Sequence, residues 1–525
     1  MIKTDITLAL SYSFADLKKT VTERLSVPDG EIERIEIRKR KLNIKDKSNP
    51  HYTATVAVSL PKERETGLLK MRKKVAVAEN LDLVIKKSTA TLSPVVVGAG
   101  PAGLFAALAL AEAGFVPTVI ERGLAVEERQ EAVRIFNETG KLDEECNIQY
   151  GEGGAGAFSD GKLKYGATDK YKMKVLSEFV SAGADDSIRY SDSAHLGTDK
   201  LPSIIKSLRE KIISLGGNFI FSARLSDIIT QNGRVCALGY IKDGKAHQIK
   251  TDAVFLATGH SARDVYELLL EKNATLEPRP FGIGVRVEHP REYINRLIYG
   301  ENYDKRLPTA TYHLVTHLKT GRSVYSFCMC PGGTVVAATS KKDRVVTNGM
   351  SVYARDGENS NSALLVSVTP DDFPTRHPLA GLDLQKEIEE KAFSLGGGDY
   401  RAPSVTMSDF LKEESDGNSV NPTYPRAVRE TALDGVFPPF IIQSLKDGIR
   451  DFDAWLPGFY YPSARLTAAE TRSTSPVRIL RDENYEAVGI RGLYPVGEGA
   501  GYAGGIVSSA TDGLKCALYV ADVQE

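Results

Sequence analysis

Six residues, Gly98-Ala99-Gly100-Pro101-Ala102-Gly103, have the types and spacing of a pyrophosphate cradle. In such a GxGxxG turn the first glycine makes the tight bend and the second lets the backbone approach a phosphate. The third lets the following helix pack closely on the strand. The N–H groups at that helix start carry partial positive charge, which is the chemistry a dinucleotide pyrophosphate requires. Glu121 lies twenty-three residues after Gly98, at the end of the next expected strand. A carboxylate there accepts hydrogen bonds from ribose hydroxyls, and Arg122 and Gly123 are assigned to the same site. A second glycine-rich stretch runs from Gly151 to Lys162. Its Gly153, Gly154, Ala155, Gly156, Ser159 and Lys162 are expected to face the bound dinucleotide, because glycine frees backbone N–H groups to approach an anion. The competing reading is a flexible surface loop.

Two later segments bear on which dinucleotide is bound. Ala257-Thr258-Gly259 resembles the Ala-Thr-Gly element of flavoproteins with the glutathione-reductase type of fold. Gly492-Leu-Tyr-Pro-Val-Gly-Glu-Gly499 resembles their C-terminal strand-loop, with Glu498 where those proteins more often carry Asp. Ala503-Gly504-Gly505-Ile506 then opens a helix. In that fold such a helix end points at the flavin pyrimidine, where it stabilises negative charge on the reduced ring. The resemblance implies FAD, held also by Ala257, Thr258, Gly259, Gly497, Glu498, Gly504, Gly505, Ile506 and Leu225.

The whole chain is similar to the bacterial family of uncharacterised FAD-dependent, or NAD(FAD)-utilising, dehydrogenases. The likeness rests on Tyr150–Leu163, Ala257–Asp264, Tyr325–Gly333, Asn348–Ser351 with Ala354–Asn359, and Gly497–Gly505. It implies an FAD-dependent oxidoreductase that transfers a hydride or electrons between flavin and an unidentified small molecule. NAD(P)H stays open as the donor, since the chain has no second complete dinucleotide fingerprint. Two alternatives stand beside this: an FAD-dependent RNA-modifying enzyme and a non-catalytic flavin-binding protein.

The residues available for catalysis beside the flavin are His260, Lys162, Cys328 and Cys330. On a regular strand, Cys328 and Cys330 point to one face. A disulfide between them closes a short, strained ring that is easily reduced, and buried structural thiols are the preferred reading. Ser261 is expected to cap the helix after Ala257-Thr258-Gly259, with Asp264 in its first turn. His313 and His317 could line the substrate cavity, but they, with Arg355 and Glu358, are read as structural in preference. Neither a CxxC nor a His pair supports a metal site.

The elements that must position these groups follow from pattern and composition. The chain has 525 residues, enough for two or three domains. Residues 1–90 hold nineteen Lys/Arg against twelve Asp/Glu, a local charge of +7 in a chain whose total is −1. They read as a small basic α+β domain of ferredoxin-like type, joined through Thr91–Pro94. An α/β, Rossmann-like FAD-binding domain with a parallel sheet takes residues 91–274 and returns at 490–525. A β-rich α+β substrate domain is inserted at 275–489. Arg38-Lys39-Arg40-Lys41 is read as a solvated strand and loop, with docking of a partner or of the flavin domain as an alternative. Only Tyr52 and Phe14 are near enough to stack on bases, which argues against nucleic acid. Five cysteines in a large chain suggest a reducing compartment. The uncharged run 92–111 contains glycines and prolines and reads as strand, turn and helix rather than a membrane span. The expected location is cytoplasmic.

Overall fold

Alternation of apolar residues builds the first element: Ile2, Thr4, Ile6 and Leu8 are the buried face of strand β1 (Ile2–Leu8) in the computed structural model. The structure describes residues 1–71, 74–163, 169–415 and 417–522. Helix α1 (Phe14–Leu25) starts with a capping box: the Ser13 hydroxyl accepts from the Asp16 N–H while the Asp16 carboxylate accepts from the Ser13 N–H. It buries Leu17, Val21 and Leu25 on the sheet. Strands β2 (Arg34–Asn43) and β3 (His51–Ser59), helix α2 (Lys62–Lys70) and strand β4 (Ala76–Val77) complete a unit with its own apolar core. Sheet order is β2-β3-β1-β4 with every pair antiparallel. This is the βαββαβ order of ferredoxin-like units.

Two features of this unit depart from the sequence expectation. Arg40 is not a solvated residue. Its N–H donates to the Tyr190 carbonyl at 2.7 Å, its own carbonyl accepts from Asp192 N–H at 3.0 Å, and its guanidinium lies 4.8 Å from the Tyr52 ring and 5.2 Å from that of Tyr190. With the Tyr12 ring at 6.0 Å, three aromatic rings surround this half-buried cation, so Arg40 docks this unit onto the next. The linker is also longer than Thr91–Pro94. Residues 78–93 form neither helix nor strand, and half-buried Leu83, Ile85 and Leu92 pack along the second unit. Ser88 pins this strap, its hydroxyl donating to the Ala521 carbonyl at 2.5 Å.

The second unit begins with β5 (Pro94–Val97), whose four residues are all buried, as in a strand covered on both faces. It continues through α3 (Pro101–Glu112), β6 (Thr118–Ile120), α4 (Val126–Thr139), α5 (Lys170–Ser181), α6 (Leu201–Ser214) and β7 (Asn218–Ile220). A three-stranded antiparallel meander follows, β8 (Arg224–Gln231), β9 (Arg234–Lys242) and β10 (Lys245–Lys250), before β11 (Ala253–Leu256) and α7 (Arg263–Glu271).

At β12 (Leu276–Pro278) the chain leaves this unit. The third unit contains β13 (Phe281–Pro290), α8 (Arg291–Tyr299), β14 (Val315–His317), β15 (Ser323–Cys330), β16 (Thr334–Ala337), β17 (Thr347–Met350) and β18 (Asn359–Val368). After these come α9 (Ala380–Gly396), β19 (Ala402–Thr406), α10 (Met407–Leu411), β20 (Val428–Glu430), α11 (Pro439–Trp455) and β21 (Arg465–Glu470). Its seven-stranded sheet has the order β14-β15-β18-β13-β21-β19-β20, antiparallel except between β19 and β20. Period-two alternation gives the sheet two characters. Phe281, Ile283, Val285 and Val287 of β13 join Ile441, Leu445, Ile449 and Phe452 of α11 in one apolar core. The opposite face carries Arg286 and Glu288, both fully buried.

Strand β22 (Val477–Ile479) pairs back with β12, and β23 (Leu493–Pro495) and α12 (Ile506–Val520) rejoin the second unit. Its sheet order is β23-β11-β5-β6-β7, parallel throughout. From β5 the chain builds outward to β6 and β7, then reverses to β11 and β23. A crevice at the carboxyl ends of β5 and β11 is therefore the place where this topology accepts a ligand. Among the described residues no helix is long and apolar enough to cross a membrane, and no group of His, Cys, Asp or Glu is arranged to hold a metal ion.

Candidate functional site

A cavity of about 440 Å³ lies at that crevice. Gly98 turns the chain out of β5 with φ +101°, and a Cβ there would stand 2.4 Å from the Ala257 carbonyl oxygen. A Cβ at Gly103 would come within 1.9 Å of the Gly98 carbonyl, so both positions need glycine for backbone to meet backbone. The buried Glu121 carboxylate braces the turn. It accepts from Ala99 N–H at 2.8 Å through one oxygen, and from Gly123 and Gly151 N–H at 3.0 and 2.9 Å through the other. Helix α3 starts at Gly100 and α12 at Gly505, neither with a side-chain cap, and both starts line the cavity. Two helix N-termini with free N–H groups thus converge on one space, a strong anion site built from backbone alone.

The second glycine-rich segment is folded by Arg129 of α4, which the sequence did not mark. Its fully buried guanidinium donates to the carbonyls of Asn147, Ile148, Glu152 and Gly154 at 2.9, 2.8, 2.6 and 2.9 Å. Burial pulls its pKa down to about 10. On an amphipathic helix an arginine reads as surface, so no sequence signal was there to find it.

Most of the sequence-predicted cofactor residues line the cavity: Gly98, Gly100, Pro101, Ala102, Glu121, Arg122, Gly154, Ala155, Gly156, Ser159, Lys162, Leu225, Ala257, Thr258, Gly259, Glu498, Gly504, Gly505 and Ile506. Four stand behind the wall instead. Gly103 packs on Gly98, and Gly123 abuts Gly151. Gly153 packs on Ile205 and donates to the Ala99 carbonyl, while Gly497 donates to the Asp512 carboxylate at 2.8 Å. Their role is to let neighbouring backbone segments meet.

Ser261 does not cap α7. Ala262 holds the N-cap position without a side-chain bond, and the Ser261 hydroxyl donates to Gln149 Oε1 at 2.9 Å, its carbonyl being taken by the Tyr150 hydroxyl. Asp264 does lie in the first turn, paired with Arg122, whose guanidinium sits over the Tyr150 ring at 4.5 Å. His313, read as structural, lines the cavity, whereas exposed His317 bonds to Ser323. Arg355 is structural, holding the buried Asp160.

The polar face of the seven-stranded sheet supplies the opposite wall with Glu470 of β21, and the neighbouring β16-β17 ribbon adds Asn348. Arg286 pairs with Glu470 through two bonds at 3.0 and 2.5 Å, and also donates to the Cys328 carbonyl at 2.9 Å and to Asn348 Oδ1 at 3.1 Å. The expectation of a regular strand fails here. Register slips between Phe327 and Cys330, Cys328 has φ +42°, and this bulge sets Cys328 on the cavity wall while Cys330 is buried behind it. Lys162 reaches across from the glycine-rich segment. Its ammonium donates to the Met329 carbonyl, 3.9 Å from Cys330 Sγ and 3.3 Å from Asp160.

Arg472, also on the wall, is fixed by the fully buried Glu389. The carboxylate accepts from Arg472 at 3.0 Å on each oxygen, from Arg263 at 3.3 Å and from Thr471 at 2.9 Å. Burial alone would raise its pKa, but Arg472 and Arg263 overcome it and hold the carboxyl down to about 2. His260 and Glu498 form the remaining titratable pair, 3.7 Å apart. Burial, aided by Arg472 and Arg263, lowers His260 to about 4 and keeps it neutral. Burial raises Glu498 to about 7, against the pull of Arg279.

A family model described as FAD-dependent protein, C-terminal domain-like, matches residues 280–473. A protein of Clostridium beijerinckii (strain ATCC 51743 / NCIMB 8052), described as "Uncharacterized protein", is 42% identical over 523 residues, covering 98% of this chain and 97% of its own. Similar solved structures include the flavin-dependent brominase Bmp2 (12% identity, 82% of this chain and 79% of that one, TM-score 0.35). Another is a geranylgeranyl bacteriochlorophyll reductase-like protein from Thermoplasma acidophilum (12% identity, 83% and 79%, TM-score 0.34). CtdE in complex with FAD and a substrate is a third (11% identity, 82% and 81%, TM-score 0.35). The chain belongs to the family of FAD-dependent proteins that share this C-terminal domain, and its cofactor is FAD.

Proposed function

We propose that the chain is an FAD-dependent oxidoreductase acting on a small molecule. The observation that carries this reading is a single cavity with two unlike walls: backbone donors and two helix starts on one side, titratable side chains of the inserted sheet on the other. The residues present fit FAD. The N–H groups after β5 and at the start of α3 would hold the pyrophosphate, with Glu121 and Arg122 toward the ribose and adenine. The start of α12 would favour negative charge on the ring. When bound, FAD would supply reversible two-electron transfer.

The protein's own groups hold protons and bind substrate. Neutral His260 can accept a proton, Glu498 exchanges one near neutrality, and Lys162, Asn348 and Arg472 present donors to a polar substrate. NAD(P)H as donor would enter through this same cavity. The cysteines are all unpaired thiols, which fits the cytoplasm.

Anaerobic addition of NADH or NADPH to the FAD-loaded protein, followed at about 450 nm, tests the reading. Bleaching by either supports it. Bleaching by neither removes the nicotinamide donor, and an FAD that neither nicotinamides nor chemical reductants bleach removes the oxidoreductase.

A further inference from the structure

The short antiparallel ribbon of β12 and β22 carries two arginines beside the cavity. Glu277 lies opposite Arg478 and Pro278 opposite Val477, and the Arg279 N–H donates to the Pro476 carbonyl at 2.8 Å. Residues two apart on a strand share a face, so Arg279 and Arg478 are diagonal neighbours. Both are half-buried against the loop 498–502. A Cβ on buried Gly501 would stand 3.0 Å from the Arg478 Cα and 3.1 Å from Arg279 Nη1, which donates to the Gly501 carbonyl at 2.7 Å. The Arg478 guanidinium lies 5.2 Å from the Tyr502 ring, and that of Arg481 lies 3.9 Å from the same ring. Arg481 is held by the Asp512 carboxylate through two bonds, at 2.6 and 3.0 Å. Among the described residues, no carboxylate forms an ion pair with Arg279 or Arg478, and exposed Glu277 stays unpaired with the arginine opposite it.

Two neighbouring cations repel each other, and partial burial weakens the water that would screen them. Arg478 Nε is in addition buried without a hydrogen-bond partner. An anion bound between the two would relieve both costs. From this arrangement we propose that Arg279 and Arg478 form a phosphate-binding subsite beside the FAD cavity, with Tyr502 as the platform that orients Arg478. It holds a phosphate of the small molecule whose reacting end enters the cavity, and so rests on that cavity being the reaction chamber. Glu498 and Gly504, both on the cavity wall, are each three residues from Gly501, at most about 11 Å along the chain. Planar guanidinium forks suit the several oxygens of a phosphate, and two of them exceed what one carboxylate can accept. Burial lowers Arg279 below its ordinary value and Arg478 adds to this, against the pull of Glu498. Glu498 is itself about half protonated near neutrality and leaves the pair short of negative charge. The substrate class is thus a phosphorylated compound, of which a nicotinamide dinucleotide is one.

Inorganic pyrophosphate tests the pair without turnover, in FAD-loaded protein so that the cradle at Gly98–Gly103 is filled. In thermal scans at constant ionic strength, balanced with sodium chloride, pyrophosphate should raise the melting temperature saturably. Arg279→Gln and Arg478→Gln should each raise the half-saturating concentration at least about tenfold, since each removes charge-assisted hydrogen bonds. Arg376→Gln, at an exposed arginine paired with Asp371, should leave it unchanged. FAD content and far-UV circular dichroism confirm folding, and Arg478→Lys replaces the glutamine variant if loss of the Tyr502 contact prevents it. No saturable rise beyond sodium chloride, or a rise that survives both substitutions in folded protein, overturns the proposal. Where a nicotinamide bleaches the FAD, pyrophosphate should slow bleaching at limiting nicotinamide and not at saturation; no slowing at limiting nicotinamide breaks the link to the cavity. Protein that ignores pyrophosphate while NAD(P)H bleaches its FAD defeats this inference alone. Pyrophosphate held by the pair in a protein that no nicotinamide bleaches defeats only the donor reading.

Discussion

Substituting Glu389 by glutamine should destabilise the inserted unit severely. The side chain is fully buried and, among the described residues, is the only carboxylate paired with both Arg263 and Arg472. Its carboxyl pKa of about 2, against an ordinary 4.5, corresponds to about 3 kcal/mol of stability at neutral pH. Removing one partner of a buried pair costs about 3–5 kcal/mol by comparison with other proteins, since the guanidiniums stay buried without a counter-charge. In a unit of this size that lowers the melting temperature by about 6 to 20 °C. The pH dependence has a definite sign. A lowered folded-state pKa gives stability that is fully present above about 4.5 and lost as pH falls toward 2. Wild type and Glu389→Gln should therefore differ most near neutrality and converge in acid, as measured by thermal scanning across pH. Glu390→Gln is the control: half-exposed Glu390 sits 3.4 Å from Arg344, and its loss should cost no more than about 1 kcal/mol. A Glu389→Gln protein melting within about 1 °C of wild type, or a gap that does not narrow in acid, would refute the reasoning.

Gly103→Ala forces its new methyl against the Gly98 carbonyl, where only backbone could give way. The expected cost is about 1–3 kcal/mol with FAD lost on purification, and a normal flavin-to-protein absorbance ratio would sink the prediction. Glu498→Gln should change the pH profile of the FAD-free protein. The raised wild-type pKa gives stability that is present below about 4.5 and lost as pH rises through about 7. The wild-type melting temperature should fall relative to the variant over that interval, and parallel profiles would count against a half-buried, proton-binding Glu498.

What the sequence revealed was local. Gly98–Gly103, Glu121 and Ala257–Gly259 sit within a few residues of strands readable from short apolar runs, and backbone geometry prescribes what they do. The polar wall was illegible because its pairs are distant in the chain. Arg286 meets Glu470 across neighbouring strands, and Arg472, in the loop after β21, meets Glu389 of α9, partners that only the folded unit brings together. The bulge at Cys328 overturned a sound rule of alternation without leaving a mark in the residue types. Arg40 was read as solvated and Arg129 went unmarked for one reason: an arginine held inside the fold looks like a surface one until its carbonyls and rings are assembled around it.

The late return of the chain has a consequence for synthesis. Strand β23 and helix α12 leave the ribosome after every other part of the flavin fold. Until they arrive β11 has an unpaired edge, and α3, buried along nearly its whole length, lacks the cover of α12. A product halted before residue 493 would thus present an open strand edge and bare alanines and leucines to the cell's proteases and chaperones, rather than a tidy apo-protein. Loading of FAD becomes a check that translation reached the final helix.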